Sequence, residues 1–168
     1  MLNPYDHEDA DALAEQAATR IEPLQELIQA TRSSEAELIY VNDNFGDFTS
    51  TWKDLVEHAA NGRHPELVEP IRPPEGVPFI QKVRHSAFYS SALEYMLRAN
   101  EVDTLILAGQ VTEQCILYSA LDAYVRHFDV RIPTDAVVPI HDELGEAALQ
   151  MMERNMGAKL VEAAQALK

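Results

Sequence analysis

The sequence predicts an α/β protein, a three-layer Rossmann-like parallel sheet with helices on both faces. Two observations carry this. Short runs rich in Leu, Ile and Val recur along the chain, "AELIYVN" and "DTLILAGQ" being the clearest. They alternate with segments whose apolar residues return at helical spacing. Apolar strands interleaved with helices imply a parallel sheet covered on both sides. A third observation qualifies the first two: the chain opens in a turn and a helix, without the leading strand such sheets normally have.

The elements follow in order. From Asp9 to Arg32, Leu13, Ala17, Ile21, Leu24 and Ile28 recur at helical spacing, and Asp6, Asp9 and Asp11 favour the N-terminal end. Ala36 to Asn42 reads as a buried strand. "STWKDLVEHAANG" is a short helix capped by Ser50 or Thr51 and stopped near Gly62, and "HPELVEPIRPPEG" is a proline-punctuated loop. Val77 to Arg84 is a strand, "SSALEYMLRAN" a helix, and Asp103 to Gln110 a strongly apolar strand. A helix runs from Thr112 to Phe128. "DVRIPTDAV" is a further strand, "DELGEAALQMMERN" a helix, and "AKLVEAAQAL" a short strand at Lys159 to Val161 passing into a terminal helix.

At 168 residues, residues 1–168 form one domain of ordinary size. The formal charge of -15 argues against nucleic acid or an anionic membrane surface as partner, since both need clustered Lys and Arg. No apolar run approaches the roughly 18 residues that cross a bilayer, and no signal peptide is visible. The single cysteine cannot make an internal disulfide, which fits a reducing cytoplasm.

In parallel sheets, sites form beyond the carboxyl ends of the strands. Lys82 near the end of one strand and Gly109 to Cys115 after another are therefore expected on one edge. Thr112 reads as an N-cap, which sets Cys115 in the first helical turn, where free N–H groups and the helix dipole stabilise a thiolate. The same N–H groups suit the oxyanion of a tetrahedral intermediate. Two readings of Cys115 stand open here, an inert buried thiol and a nucleophile. Lys82 likewise reads as a snorkelling edge lysine or as a cation that activates the thiol.

"KVRHSAF" (Lys82 to Phe88) and "LILAGQVTEQC" (Leu105 to Cys115) together resemble the isochorismatase-like cysteine hydrolases, the superfamily of nicotinamidases and N-carbamoylsarcosine amidohydrolase. The later "DAYVRHFDVRIPTDA" matches as well. The resemblance implies a six-stranded parallel sheet and an Asp, Lys, Cys catalytic set. Cys115 is then the nucleophile and Lys82 the triad lysine. A cis peptide maps to Gln110–Val111, and the N–H groups of Val111 and Cys115 make the oxyanion hole. Cys115 favours C–N over vinyl-ether cleavage, because isochorismatase proper lacks this cysteine. Phe45, Trp52 and Phe88 are candidate pocket walls, with Phe48 beside them, and core positions equally.

The sequence departs from the family at its start. "MLNPY" aligns just after the catalytic Asp, so the central strand and that Asp are absent, from between residues 37–41 and 104–107. Three explanations stand: a misassigned start with about 15–30 further residues in the natural protein, a truncated form, or a shortened paralogue completed by a partner strand. Asp6, Asp43 and Glu113 are the candidate substitute acids, each reading more readily as a cap, a turn former or a solvated charge, and Glu113 is expected to point along its helix rather than at the sulfur. "VNDNFGDF" also lacks the His of a nicotinamidase metal motif, so no metal and no cofactor are expected. The implied partner is a small-molecule substrate, and the implied assembly a homo-oligomer, dimer or larger. The rival reading is a non-catalytic scaffold or a redox-sensitive oligomer built on the same fold.

Overall fold

The computed structural model describes residues Met1–Lys168. Seven short strands form parallel ladders in three groups. β1 (Tyr40–Asp43) pairs with β2 (Phe79–Lys82). β3 (Thr104–Ile106) pairs with β5 (Asp129–Pro133), which pairs with β7 (Lys159–Val161). β4 (Gly109–Gln110) pairs with β6 (Val137–Val138). The α/β architecture with parallel strands is as predicted.

Helices α1 (Ala10–Ala18), α2 (Ile21–Arg32), α3 (Trp52–Ala60), α4 (Pro65–Val68), α5 (Leu93–Ala99), α6 (Leu117–Val125) and α7 (Asp142–Met156) fill the intervals. The largest core cluster gathers strand and helix residues such as Leu105, Val130, Ile132, Ala120, Ala123 and Met152. A second holds Leu2, Tyr5, Leu13, Val56, Val68, Val111 and Val138, which ties the first residues of the chain to the interior.

Several boundaries differ from expectation, each for a local reason. The single helix expected over Asp9 to Arg32 is two, α1 and α2, parted at Thr19–Arg20. Pro23 has no N–H to give and its ring crowds the carbonyl four residues earlier, so it is accommodated only in the first turn of a new helix. The apolar run Asp103 to Gln110 is likewise two strands, interrupted at Leu107–Ala108, and Asp129 to Val137 is divided between β5 and β6. The proline-rich loop holds α4 and a 3₁₀ turn, Glu69–Ile71, because Pro65 and Pro70 sit where a helical first turn tolerates them. The closing helix is only the 3₁₀ turn Ala163–Gln165. The cap of α3 is Thr51, in a reciprocal capping box with Asp54.

The strand expected over Ala36 to Asn42 is regular only at Tyr40–Asp43. β1 has a partner on one side alone, and so does β3. Between them lies an apolar cavity of about 580 Å³. Twenty of its 27 lining residues are hydrophobic, among them Ile39 and Val41 on one side, Leu105 and Leu107 on the other, and Leu24, Leu27, Leu93 and Leu97 from helices. Backbone edges flanking such a space are costly to leave unpaired.

Met1–Tyr5 enters this interior and is held there. The Asn42 Nδ2 donates to the Leu2 carbonyl at 3.0 Å, and the Tyr5 hydroxyl donates to Gln110 Oε1 at 3.3 Å. The Arg63 N–H donates to the Pro4 carbonyl at 2.9 Å. Gly62 makes this passage possible, since a Cβ there would stand 2.4 Å from the Pro4 carbonyl oxygen. Gly62→Ala is therefore expected to destabilise the fold by about 1–3 kcal/mol, read as a lower urea midpoint at unchanged slope.

Burial also leaves a titration signature. It pushes both Tyr5 and Tyr40 up to about 12 from 10.0. The protonated phenols are favoured in the fold, so their contribution is intact below pH 10.0 and fades as pH rises through about 12. A phenolate absorbance titration is expected to show two of the six tyrosines ionising about two pH units late, with loss of stability over the same interval.

Candidate active site

The parallel register sets the site. Asp43 and Lys82 end β1 and β2 as direct cross-strand partners. Cys115 comes from the turn after β4. These carboxyl ends meet, and the Lys82 ammonium is buried among them at 6% exposure. Its Nζ donates to Asp43 Oδ2 at 3.1 Å, to the Arg84 carbonyl at 3.1 Å and to Cys115 Sγ at 3.5 Å. A lysine ammonium has three protons, and all three have an acceptor here. Lys82 and Cys115, 33 positions apart in sequence, are thus in contact.

The turn bearing Cys115 differs from a simple helix start. Thr112–Ile116 is a π-helical turn that leads into α6, with Val111 at its cap position. Thr112 is not the N-cap: its hydroxyl is buried without a partner. The wide turn leaves the sulfur half-exposed beside Lys82. The Gln110–Val111 peptide is cis, as the resemblance implies, and the Val111 N–H donates to no backbone carbonyl.

Glu113 does not lie along its helix. Its Oε1 accepts from the N–H groups of Ile140 at 3.0 Å and His141 at 3.2 Å, so it latches the cysteine turn to the segment entering α7. Its Oε2 is buried and unpartnered. Glu113 is therefore a structural tie rather than an acid facing the sulfur. Asp6 is exposed. Asp43 reaches Lys82 rather than Cys115, and its Oδ1 accepts from the Phe45 N–H at 2.8 Å.

The pocket candidates separate. Phe45 is half-exposed with a positive φ of 52°, directly after the Asp43–Asn44 pair. Trp52 begins α3 and stacks on Phe79, with ring centroids 5.7 Å apart. Phe88 belongs to the main core, packed 6.1 Å from the Phe128 ring. Phe48 is largely exposed. His85 lies against Tyr118 and His64 against Tyr5. The metal position of the nicotinamidase pattern is not assembled: the Asp43 carboxylate is taken by Lys82, and no three His, Cys, Asp or Glu side chains converge.

Two contacts escaped the sequence reading. The Ser86 hydroxyl donates to Asp122 Oδ2 at 2.5 Å, and the Ala87 N–H donates to Ser119 Oγ at 2.9 Å. They clamp the loop after Lys82 onto α6. The signal was present in Ser86 following the lysine at fixed spacing, but its acceptor lies 36 residues on. The α-amino group of Met1 is a third surprise. Burial lowers it to about 5 from 8.0, and it lies close enough to Cys115 and Lys82 to feel both charges.

The chain is thus a parallel α/β protein with a cysteine and a buried lysine in contact at the carboxyl edge of its strands. The Isochorismatase domain pattern matches residues 6–165, and the chain belongs to that family. The uncharacterized isochorismatase family protein YaaI of Bacillus subtilis is 31% identical over 160 residues, 95% of this chain and 88% of that one. The maleamate amidohydrolase of Pseudomonas putida is 34% identical over 62% of this chain and 48% of its own length. Among solved structures, N-carbamoylsarcosine amidase from Thermoplasma acidophilum superposes with a TM-score of 0.70 at 27% identity, over 90% of this chain and 86% of that one. Nicotinamidase PncA from Bacillus subtilis gives 0.68 at 28%, over 87% and 86%. The family thus includes amidohydrolases. No helix here is long and apolar enough to cross a membrane.

Glu113→Ala removes the acceptor of two backbone donors and is expected to cost about 1–3 kcal/mol. Glu113→Gln, which keeps an oxygen there, should cost less. Urea unfolding followed by circular dichroism checks both.

Proposed function

We propose that this protein is a cysteine-dependent hydrolase of a small amide or ureido substrate, cleaving a C–N bond through a thioester. The observation that carries the reading is the 3.5 Å contact between Lys82 Nζ and Cys115 Sγ at the carboxyl edge of the strands. Relatives named as maleamate amidohydrolase, N-carbamoylsarcosine amidase and ureidoacrylate amidohydrolase support the substrate class.

The general base is a carboxylate carried by a strand that occupies the cavity between β1 and β3, supplied upstream of Met1 by a longer natural chain. Three features support this: the apolar lining, the two unpaired ladder edges, and the Met1 amino group buried beside Cys115 and Lys82. As part of a peptide bond, that nitrogen would carry no charge to bury.

The chemistry follows. The carboxylate takes the thiol proton, and Lys82 stabilises the thiolate. Sγ attacks the substrate carbonyl carbon, and the oxyanion rests on the N–H groups of Val111 and Cys115. The carbonyl re-forms, the C–N bond breaks, and the nitrogen leaves with the proton as ammonia or an amine. Water, deprotonated by the same carboxylate, then hydrolyses the thioester and restores the thiol. Phe45 borders the substrate entrance. The same reading takes the protein as a cofactor-free homo-oligomer of the cytoplasm.

The test uses protein purified from its natural source. Its intact mass is expected to exceed 18.8 kDa, and it should release ammonia from members of a panel of small amides and ureido acids. Cys115→Ala abolishes release, Lys82→Ala lowers kcat by about 100-fold or more, and rapid quenching traps an acyl adduct on Cys115. Ammonia release that survives Cys115→Ala would overturn the assignment.

A further inference from the structure

We infer that Asp43 is a positioning residue that competes with Cys115 for the Lys82 ammonium and so keeps the resting sulfur in its thiol form. The inference rests on the reading of Cys115 as nucleophile and adds what restrains that sulfur between turnovers.

Asp43 and Lys82 close β1 and β2 as cross-strand partners, so the register itself sets the carboxylate against the ammonium. Both oxygens of that carboxylate are committed. Oδ1 accepts from the Phe45 N–H at 2.8 Å, which fixes the angle of the group, and Oδ2 accepts from Lys82 Nζ at 3.1 Å. On either side of Asp43 in the chain stands a buried amide, Asn42 and Asn44, which brings no charge.

Lys82 thus offers one positive charge to two acceptors of unequal strength. The bond to the carboxylate is charge-assisted, whereas a thiol sulfur at 3.5 Å is a weak acceptor. The Asp43–Lys82 pair is already neutral, and a thiolate formed beside it would set two negative charges on one buried ammonium. Excess charge away from water is costly. Without the Asp43 charge, Lys82 and the thiolate would make the neutral pair by themselves. Restraint suits a sulfur that is half-exposed and has no second cysteine in the chain to pair with, because a standing thiolate is open to oxidation. It also explains why the proposed reaction needs a general base to take the thiol proton.

Asp43→Asn removes the charge and keeps an oxygen for the Phe45 N–H. Thiolate is read at neutral pH as the ultraviolet absorbance difference between each protein and its Cys115→Ser counterpart, and reactivity as the rate of alkylation by iodoacetamide. Asp43→Asn is expected to raise both, the alkylation rate about fivefold or more. Asp43→Ser, which also leaves an acceptor at the turn, should move them the same way. In a Lys82→Met background the effect of Asp43→Asn should largely vanish, which a merely looser site would not produce. An absorbance difference unchanged by Asp43→Asn overturns the inference, even where alkylation quickens through better access. An equal rise with and without Lys82 also overturns it, since direct repulsion would then replace competition. A sulfur closed to iodoacetamide until denaturation overturns the nucleophile reading instead, and the absorbance difference still decides on Asp43.

Discussion

A buried ammonium holds this molecule's site together. Lys82 is almost fully removed from water, and an unpaired charge in that position would be expensive. The fold supplies its three acceptors from separate pieces of chain: a carboxylate ending the neighbouring strand, a carbonyl two residues on, and a sulfur from the turn after β4. Each acceptor requires an element to stop where it does. β1 must end on Asp43 in register with Lys82, the chain must turn back at Arg84, and the π-helical turn must present Cys115 sideways. Geometry that would be arbitrary in an isolated loop is thus fixed by one charge that has to be satisfied.

Much of this was legible in the sequence. The β/α alternation, Lys82 at one strand end and Cys115 after another, with the rule that parallel strands bring their carboxyl ends together, foretold the contact between two residues far apart in the chain. The turn at Gln110–Val111 followed from resemblance. What could not be read was anything depending on a distant partner. Glu113 looked like a first-turn helix acid, and its acceptor role emerges only because β6 ends beside it. Thr112 had the right side chain for a cap and yet faces inward, since the π-helical turn shifts the cap to Val111. Phe88 and Phe45 were indistinguishable as aromatics. Packing on Phe128 buries one, while an Asx turn at Asp43 leaves the other exposed.

The cavity between β1 and β3 connects fold and chemistry. It separates what the ladder logic of a parallel sheet would join, and its lining includes the first residues of the chain together with Gly109. Met1 packs against Gly109, Leu2 is fixed by Asn42, and Tyr5 reaches Gln110. The segment from Met1 to Tyr5 therefore acts as a wedge that sets the position of the Gln110–Val111 turn from below. Side chains with no chemistry of their own thus decide where the Gln110–Val111 turn stands.

The Glu113 tie has a further consequence. It spans from the cysteine turn to the doorstep of α7. The posture of Cys115 and the seating of α7 are two ends of one lever. Warming that loosens the entry to α7 would slacken the turn that carries Cys115 at the same moment. The seating of one flanking helix and the shape of the cysteine turn are thus a single structural commitment.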